Sequence, residues 1–257
     1  MQVHHMTGAG NDFMVIDARG QTLDFADLAV NLCKKTGADG FMAVDVSNVA
    51  DFRLHFYNAD GSRGEMCGNG ARCICKYAYD KGIAPAEMKV ETDAGLVKGW
   101  RLAENHYRVQ LNNPSVVDLK RTETCAYVEL GNPGVPHGVQ ALQELTFDMQ
   151  EQLREKAVAL RYHRAFPKGA NINFYTRLGE NTVRVLTYER GVENYTLACG
   201  TGCGSVAVAL WLQGDLPGGV LTAHNQGGTL QVTVAGKDSQ VESLLLEGPA
   251  EYIKIYE

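Results

Sequence analysis

Apolar and polar residues alternate along Phe52–Tyr57 and again along Val183–Tyr188, the period of a strand with one face buried. A polar, glycine-containing loop follows each run, and then a helical stretch, Ala71–Lys81 in the first case and Cys203–Gln213 in the second. Gly82 and Gly214 stand where a helix closes on a left-handed residue. Strand-like runs come next, Met88–Glu91 and Val220–Ala223. Polar turns follow them, Thr92-Asp93-Ala94-Gly95 and Asn225-Gln226-Gly227-Gly228, and then a β-branched strand, clearest at Leu230–Val234. Earlier helices are predicted at Phe25–Lys35 and Met149–Leu160. The sum is an α+β arrangement rather than a regular alternation of strand and helix.

The two halves of this pattern are copies. Glu65-Met66-Cys67-Gly68-Asn69-Gly70 resembles Leu197-Ala198-Cys199-Gly200-Thr201-Gly202, with the cysteines 132 residues apart. The same offset carries Gly82 onto Gly214, Gly95 onto Gly227, and Ala38-Asp39 onto Ala170-Asn171. One coincidence of Cys-Gly-x-Gly means little, but several anchors in one order at one offset mean duplication. Two lobes are expected: 1–115 carrying Cys67, and 116–257 carrying Cys199. Their boundary is placed near 113–125, where Asn113-Pro114-Ser115 has linker character.

Composition narrows the function classes. The 257 residues are 45% hydrophobic and carry a formal charge of −6, which gives no general attraction for nucleic acid or an anionic membrane. The first residues show no charged leader before an apolar run, and no stretch is long and apolar enough for a bilayer. A cytoplasmic protein is expected, acting on a small molecule, with room for a homodimer. Seven cysteines, an odd number in a chain this size, read as thiols rather than a disulfide framework. Cys73 and Cys75 read as core or surface cysteines, and Cys33 and Cys125 as structural. Cys199 and Cys203 are four apart, but no Cys-x-x-Cys or paired-histidine pattern supports zinc. No phosphate loop or dinucleotide loop is present, so neither metal nor cofactor is expected.

Cys-Gly-x-Gly at a helix start has a physical meaning. Glycines leave the backbone N–H groups open, and the first N–H groups of a helix lack internal partners in a positive dipole field. Such a terminus holds a carboxylate, and a cysteine there is expected to have its thiolate stabilised. Two copies supply what inversion of a carbon α to a carboxylate requires: a thiolate to remove the proton from one face, and a thiol to return one from the other. The N–H donors meanwhile stabilise the carbanion's charge.

On these residues the chain resembles the diaminopimelate epimerases. The matching motifs are Gly8-Ala9-Gly10-Asn11-Asp12-Phe13, then Asn58-Ala59-Asp60-Gly61-Ser62 leading to Met66-Cys67-Gly68-Asn69-Gly70-Ala71-Arg72. Ala170-Asn171-Ile172, Tyr188-Glu189-Arg190-Gly191 and Thr196-Leu197-Ala198-Cys199-Gly200-Thr201-Gly202 complete them, in family order over most of the chain. The resemblance implies two mirrored lobes, each a mainly antiparallel sheet around a central helix. It also implies cofactor-independent conversion of LL-diaminopimelate to the meso isomer, toward lysine and cell-wall precursor. Cys67 and Cys199 would be the acid–base pair, and the backbones of Gly68, Asn69, Gly200 and Thr201 would hold the reacting carboxylate. Asn11 would position the reacting end, Asn58, Asn171, Glu189 and Arg190 would hold the distal amino-acid group, and His137 matches an accessory histidine.

Each assignment has a plainer counterpart: turn residues for Asn11 and Asn58, an exposed strand-end pair for Glu189 and Arg190, a structural role for His137. The chain departs from the family at Gly40, where many members carry glutamine, and at Gly131–His137, where Val135 takes the place of a substrate-binding asparagine. Glu193-Asn194-Tyr195 also replaces a shorter loop. A racemase of the same fold acting on another amino acid, and a non-catalytic amino-acid-binding protein, are the competing readings. The phenazine-related isomerases share the mirrored architecture without the paired cysteine loops.

Overall fold

The computed structural model describes residues 2–64 and 67–257, so Met1 and the Glu65-Met66 lead-in to the first cysteine loop lie outside the described residues. In chain order the first elements are β1 Val3–Gly8, β2 Asn11–Asp17, α1 Phe25–Thr36, β3 Gly40–Asp45, β4 Phe52–Asn58 and β5 Arg63–Gly64. Then come α2 Gly68–Asp80, β6 Glu87–Thr92, β7 Gly95–Ala103 and β8 His106–Gln110. The second series is β9 Pro114–Asp118, β10 Ala126–Leu130, β11 Val135–Ala141, α3 Gln150–Arg161, β12 Asn171–Gly179, β13 Thr182–Glu189 and β14 Asn194–Thr196. It continues with α4 Gly200–Leu212, β15 Val220–Asn225, β16 Gly228–Lys237, β17 Gln240–Pro249 and β18 Glu251–Tyr256.

Two compact units result: Met1–Gln110 with Glu247–Glu257, and Leu111–Leu246. In the first, β18 pairs with β1, β1 with β2, β3 with β4, β6 with β7 and β7 with β8, all antiparallel. The pairs β2–β3 and β4–β6 are parallel, each bridged by a helix as a crossover requires. The second unit repeats the plan. β9–β10, β10–β11, β12–β13 and β15–β16 are antiparallel, while β11–β12 and β13–β15 are parallel across α3 and α4. The duplication read from the sequence is therefore a duplication of topology.

The division of the chain differs from the expected 1–115 and 116–257. Residues 113–118 do not form a linker: β9 pairs along β10, with Pro114 as its first residue, where the missing N–H costs least. The C-terminal residues belong with the first unit because β18 lies along β1, Val3 opposite Tyr256.

Each unit has a helix sunk into its sheet. In α4, Gly202–Leu210 are all buried, and the helix is apolar on every side, as a fully enclosed helix must be. In α2, Gly68–Ala78 are buried, including the charged Arg72 and Lys76. Arg72 is 0% exposed and places its donors on the Gly68 carbonyl at 3.3 Å, the Pro249 carbonyl at 3.3 Å and Asn69 Oδ1 at 3.0 Å. Outer helix α1 is amphipathic instead, capped by Asp24 at its start and closed by left-handed Gly37. Gly82 and Gly214 are left-handed one residue beyond the caps of α2 and α4.

Candidate active site

The helices α2 and α4 begin in the same way. Cys67 is the N-cap of α2 with φ −121° and ψ 123°, and Cys199 is the N-cap of α4 with φ −119° and ψ 109°. Both are extended residues whose own carbonyls open the helix, accepting from Ala71 N at 2.7 Å and from Cys203 N at 3.0 Å. The N–H groups of Gly68, Asn69, Gly200 and Thr201 fall in the first turns, where helical geometry supplies no carbonyl to receive them. No acidic side chain lies in either first turn. Close packing excludes a side chain at Gly202, where a Cβ would collide with Asn173 Oδ1, and leaves little room at Gly70, where one would stand 3.1 Å from Met42 Sδ.

Cys199 is buried, and its sulfur accepts from Gly202 N at 3.4 Å and lies 3.5 Å from Thr201 Oγ1. The expected lowering of its pKa does not follow. Burial pushes this thiol well above the ordinary cysteine value, and the negative charge of Glu189 pushes it further. The two hydrogen bonds oppose this with less effect. Cys199 is therefore held as a thiol. Its labelling by iodoacetamide should rise with pH beyond the range of an ordinary cysteine. In Glu189→Gln the rise should move to lower pH, because one anion beside the sulfur is gone. A labelling profile for Cys199 unchanged by that substitution would contradict the electrostatic coupling.

In the first unit a chain of polar contacts runs outward from Arg72. Asn69 Nδ2 donates to Asn11 Oδ1 at 2.6 Å, and Asn11 Nδ2 donates to Asp39 Oδ2 at 3.1 Å. Asp39 also accepts from Asp12 N at 3.0 Å, which fixes the turn that carries Asn11. Asn58 is exposed and bonds to Ser62 Oγ at 2.9 Å, apart from this chain. Gly40 lies opposite both Phe13 and Asn58 in the sheet, and a Cβ there would meet Phe56 Cε2 and the Tyr57 carbonyl at 2.9 Å. The ring of Phe56 thus occupies the start of any longer side chain at this position.

In the second unit Asn171 Oδ1 accepts from Arg190 N at 2.8 Å, and Asn171 Nδ2 donates to the Pro136 carbonyl at 3.3 Å. Arg190 is exposed, with Nη1 on the Lys168 carbonyl at 3.1 Å. Thr196 Oγ1 donates to Glu189 Oε2 at 3.0 Å. His137 lies opposite Asn171 in the parallel pair and is 0% exposed. Burial, helped by the Arg190 charge, pushes its pKa down to about 3, so the ring is neutral. Glu193, in the altered loop, is tied to Arg161 Nη2 at 2.8 Å, to Tyr162 Oη at 3.1 Å and to Gly191 N at 2.9 Å, and so serves the turn.

The structure thus joins Asn11 to Asn69 in one unit, and Asn171 to Arg190 and Thr201 to Cys199 in the other. Reading the motifs alone missed Asp39, Asn173 and Thr187. For Asp39 a signal existed, since the repeat sets it against Asn171. Among the described residues, no group of three or more His, Cys, Asp or Glu side chains is arranged to hold a metal ion, and no helix is long and apolar enough to cross a membrane.

The family model for diaminopimelate epimerase matches residues 3–117 and 130–253. A diaminopimelate epimerase from Hydrogenobaculum sp. is 33% identical over 277 aligned positions, covering 100% of this chain and 97% of that protein. One from Aquifex aeolicus is 37% identical over 234 positions, covering 83% of this chain and 82% of its own length. Among solved structures, a phenazine biosynthesis protein of the PhzF family from Bacillus anthracis superposes with a TM-score of 0.71 at 16% identity, covering 100% of this chain and 98% of that one. That last likeness is one of fold.

Proposed function

Because the chain belongs to the diaminopimelate epimerase family, and is accordingly an amino-acid epimerase, we propose that it converts LL-diaminopimelate to meso-diaminopimelate with Cys67 and Cys199 as its acid–base pair. One observation carries this reading: each unit places a cysteine at the N-cap of a buried helix whose first turn offers N–H groups and no carboxylate. A thiolate takes the α-proton, and the electron pair left on carbon delocalises into the substrate carboxylate. The N–H groups of Gly68, Asn69, Gly200 and Thr201 bear that charge, and the second thiol returns a proton to carbon. One proton leaves and one arrives, so the two sulfurs have exchanged roles at the end of a turnover.

Glu189 links binding to this chemistry. After burial, the larger cause, its charge adds to what holds Cys199 protonated. Pairing of Glu189 with a substrate ammonium cancels that charge and eases ionisation of Cys199, so substrate prepares the thiol for the direction in which it acts as base. Asn58, Asn171 and Arg190 take the distal carboxylate, and Asn11, held between Asn69 and Asp39, positions the reacting end. Val135 in place of an asparagine favours a second reading, a racemase of another amino acid. Exchange of α-protons in D2O, followed by NMR across a panel of amino acids without added cofactor, separates the two. LL- and meso-diaminopimelate should exchange fastest. Faster exchange of an amino acid with a single stereocentre would overturn the substrate assignment.

A further inference from the structure

We propose that Asn173 is a positioning residue which fixes His137 as the neutral tautomer with its proton on Nε2, and that Thr187 holds Asn173 in place for this purpose. The inference rests on the epimerase reading in one respect, that His137 belongs to its site. Asn173 Nδ2 lies 3.2 Å from His137 Nδ1, 3.0 Å from the Gly138 carbonyl and 3.3 Å from the Asn171 carbonyl, so its two hydrogens are shared among three acceptors. Two carbonyl acceptors show that this end of the amide is the NH2 group, and Thr187 Oγ1 donates to the other end, Asn173 Oδ1, at 2.9 Å. An amide nitrogen donates and does not accept, so Nδ1 receives the hydrogen bond and the neutral ring keeps its proton on Nε2.

All three side chains are buried: His137 and Asn173 are 0% exposed and Thr187 is 2%. No water competes for the Asn173 amide, and the arrangement is locked from above by Gly202, whose missing Cβ leaves room for Asn173 Oδ1. The same Gly202 gives its N–H to the Cys199 sulfur. One short network thus runs from the α4 cap to the histidine.

The consequence is chemical. His137 Nε2 is buried and has no hydrogen-bond partner among the described residues. A buried N–H in that condition is held at a cost and is a donor kept for an acceptor that the described residues do not provide. The neutral ring is then a hydrogen-bond donor. It offers an N–H to an anionic atom, either the carboxylate of the bound amino acid or a thiolate formed in the reaction.

The test uses the full chain with 15N-labelled histidine. Long-range 1H–15N correlation at pH 7 reports which ring nitrogen carries the proton, whatever the substrate proves to be. His137 should show a protonated Nε2 and a bare Nδ1. In Asn173→Asp the carboxylate beside Nδ1 should draw the proton there. With the amino acid that exchanges fastest, kcat should fall about ten- to a hundredfold while KM changes little, as for a hydrogen bond made chiefly in the transition state. Should the aspartate variant fail to fold, Thr187→Val against Thr187→Ser decides. Valine should populate a second tautomer and lower kcat, and serine should restore both. A wild-type ring protonated on Nδ1 or on both nitrogens would overturn the proposal. So would a switched tautomer with kcat intact. If no amino acid is turned over, the epimerase reading fails and the tautomer result still stands or falls by itself.

Discussion

Replacing either Cys67 or Cys199 by alanine should abolish measurable inversion, a loss of about 10²–10⁴-fold or more for an acid–base group acting directly on carbon. Expressed as a barrier, that is about 3–5 kcal/mol. The structural cost of the same substitutions is smaller. The Cys199 sulfur caps α4 through a single long bond to Gly202 N, and losing an oxygen cap costs about 0.5–2 kcal/mol, so a sulfur cap should cost no more. The variants should melt within a few degrees of the wild type and still fail to epimerise. Inversion is followed by optical rotation or chiral chromatography, beside a thermal melt. A variant with near-normal turnover would exclude the two-thiol mechanism, and one that has unfolded would be set aside by its melting curve. Cys199→Ser is the sharper form, since it keeps a proton-bearing group at the cap but raises its pKa far beyond a thiol's.

Arg190→Ala should lower kcat/KM for LL-diaminopimelate about ten- to a hundredfold, the size of a charge-assisted hydrogen bond lost from a binding site, about 1.5–3 kcal/mol. The guanidinium is exposed and has one hydrogen bond from its side chain among the described residues, to the Lys168 carbonyl, which leaves most of a five-donor fork for a carboxylate. The Arg190 backbone N–H stays on Asn171 Oδ1 in the variant, so the end of β13 should not move. Alkylation of Cys67 should proceed at the wild-type rate, because the loss concerns the distal end of the substrate. If the variant keeps full activity on diaminopimelate, Arg190 is the exposed strand-end residue of the plainer reading.

Much of this arrangement is legible in the sequence alone. Helices α2 and α4 announce themselves by periodicity and by the glycines that follow them, and the cysteine loops by their recurrence at one offset. Their true starts lie about three residues earlier than the periodic stretch, because Gly-x-Gly gives no apolar signal while still taking helical geometry. The state of Cys199 was not legible. The local motif argues for a stabilised thiolate, but burial and the charge of Glu189, ten positions away in the chain, decide the outcome. The partners of His137 were hidden for a similar reason. Asn173 and Thr187 sit in ordinary strand sequence, and only the pairing of Asn173 with Thr187 across β12 and β13 turns them into a support. The fate of residues 113–118 depended on the same kind of long-range pairing, invisible to local composition.

The return of β18 to the edge of β1 makes the second unit an insertion within the first, entered after Gln110 and left before Glu247. A ribosome makes the chain in order, so it releases the whole of Leu111–Leu246 while the earlier unit still lacks the strand that covers β1. Val3 and His4, buried in the finished protein beside Tyr256 and Ile255, have no such neighbours during that interval. For the nascent chain the inserted unit is the one that can mature first, and the outer unit closes around its own two ends only after residue 256 has emerged.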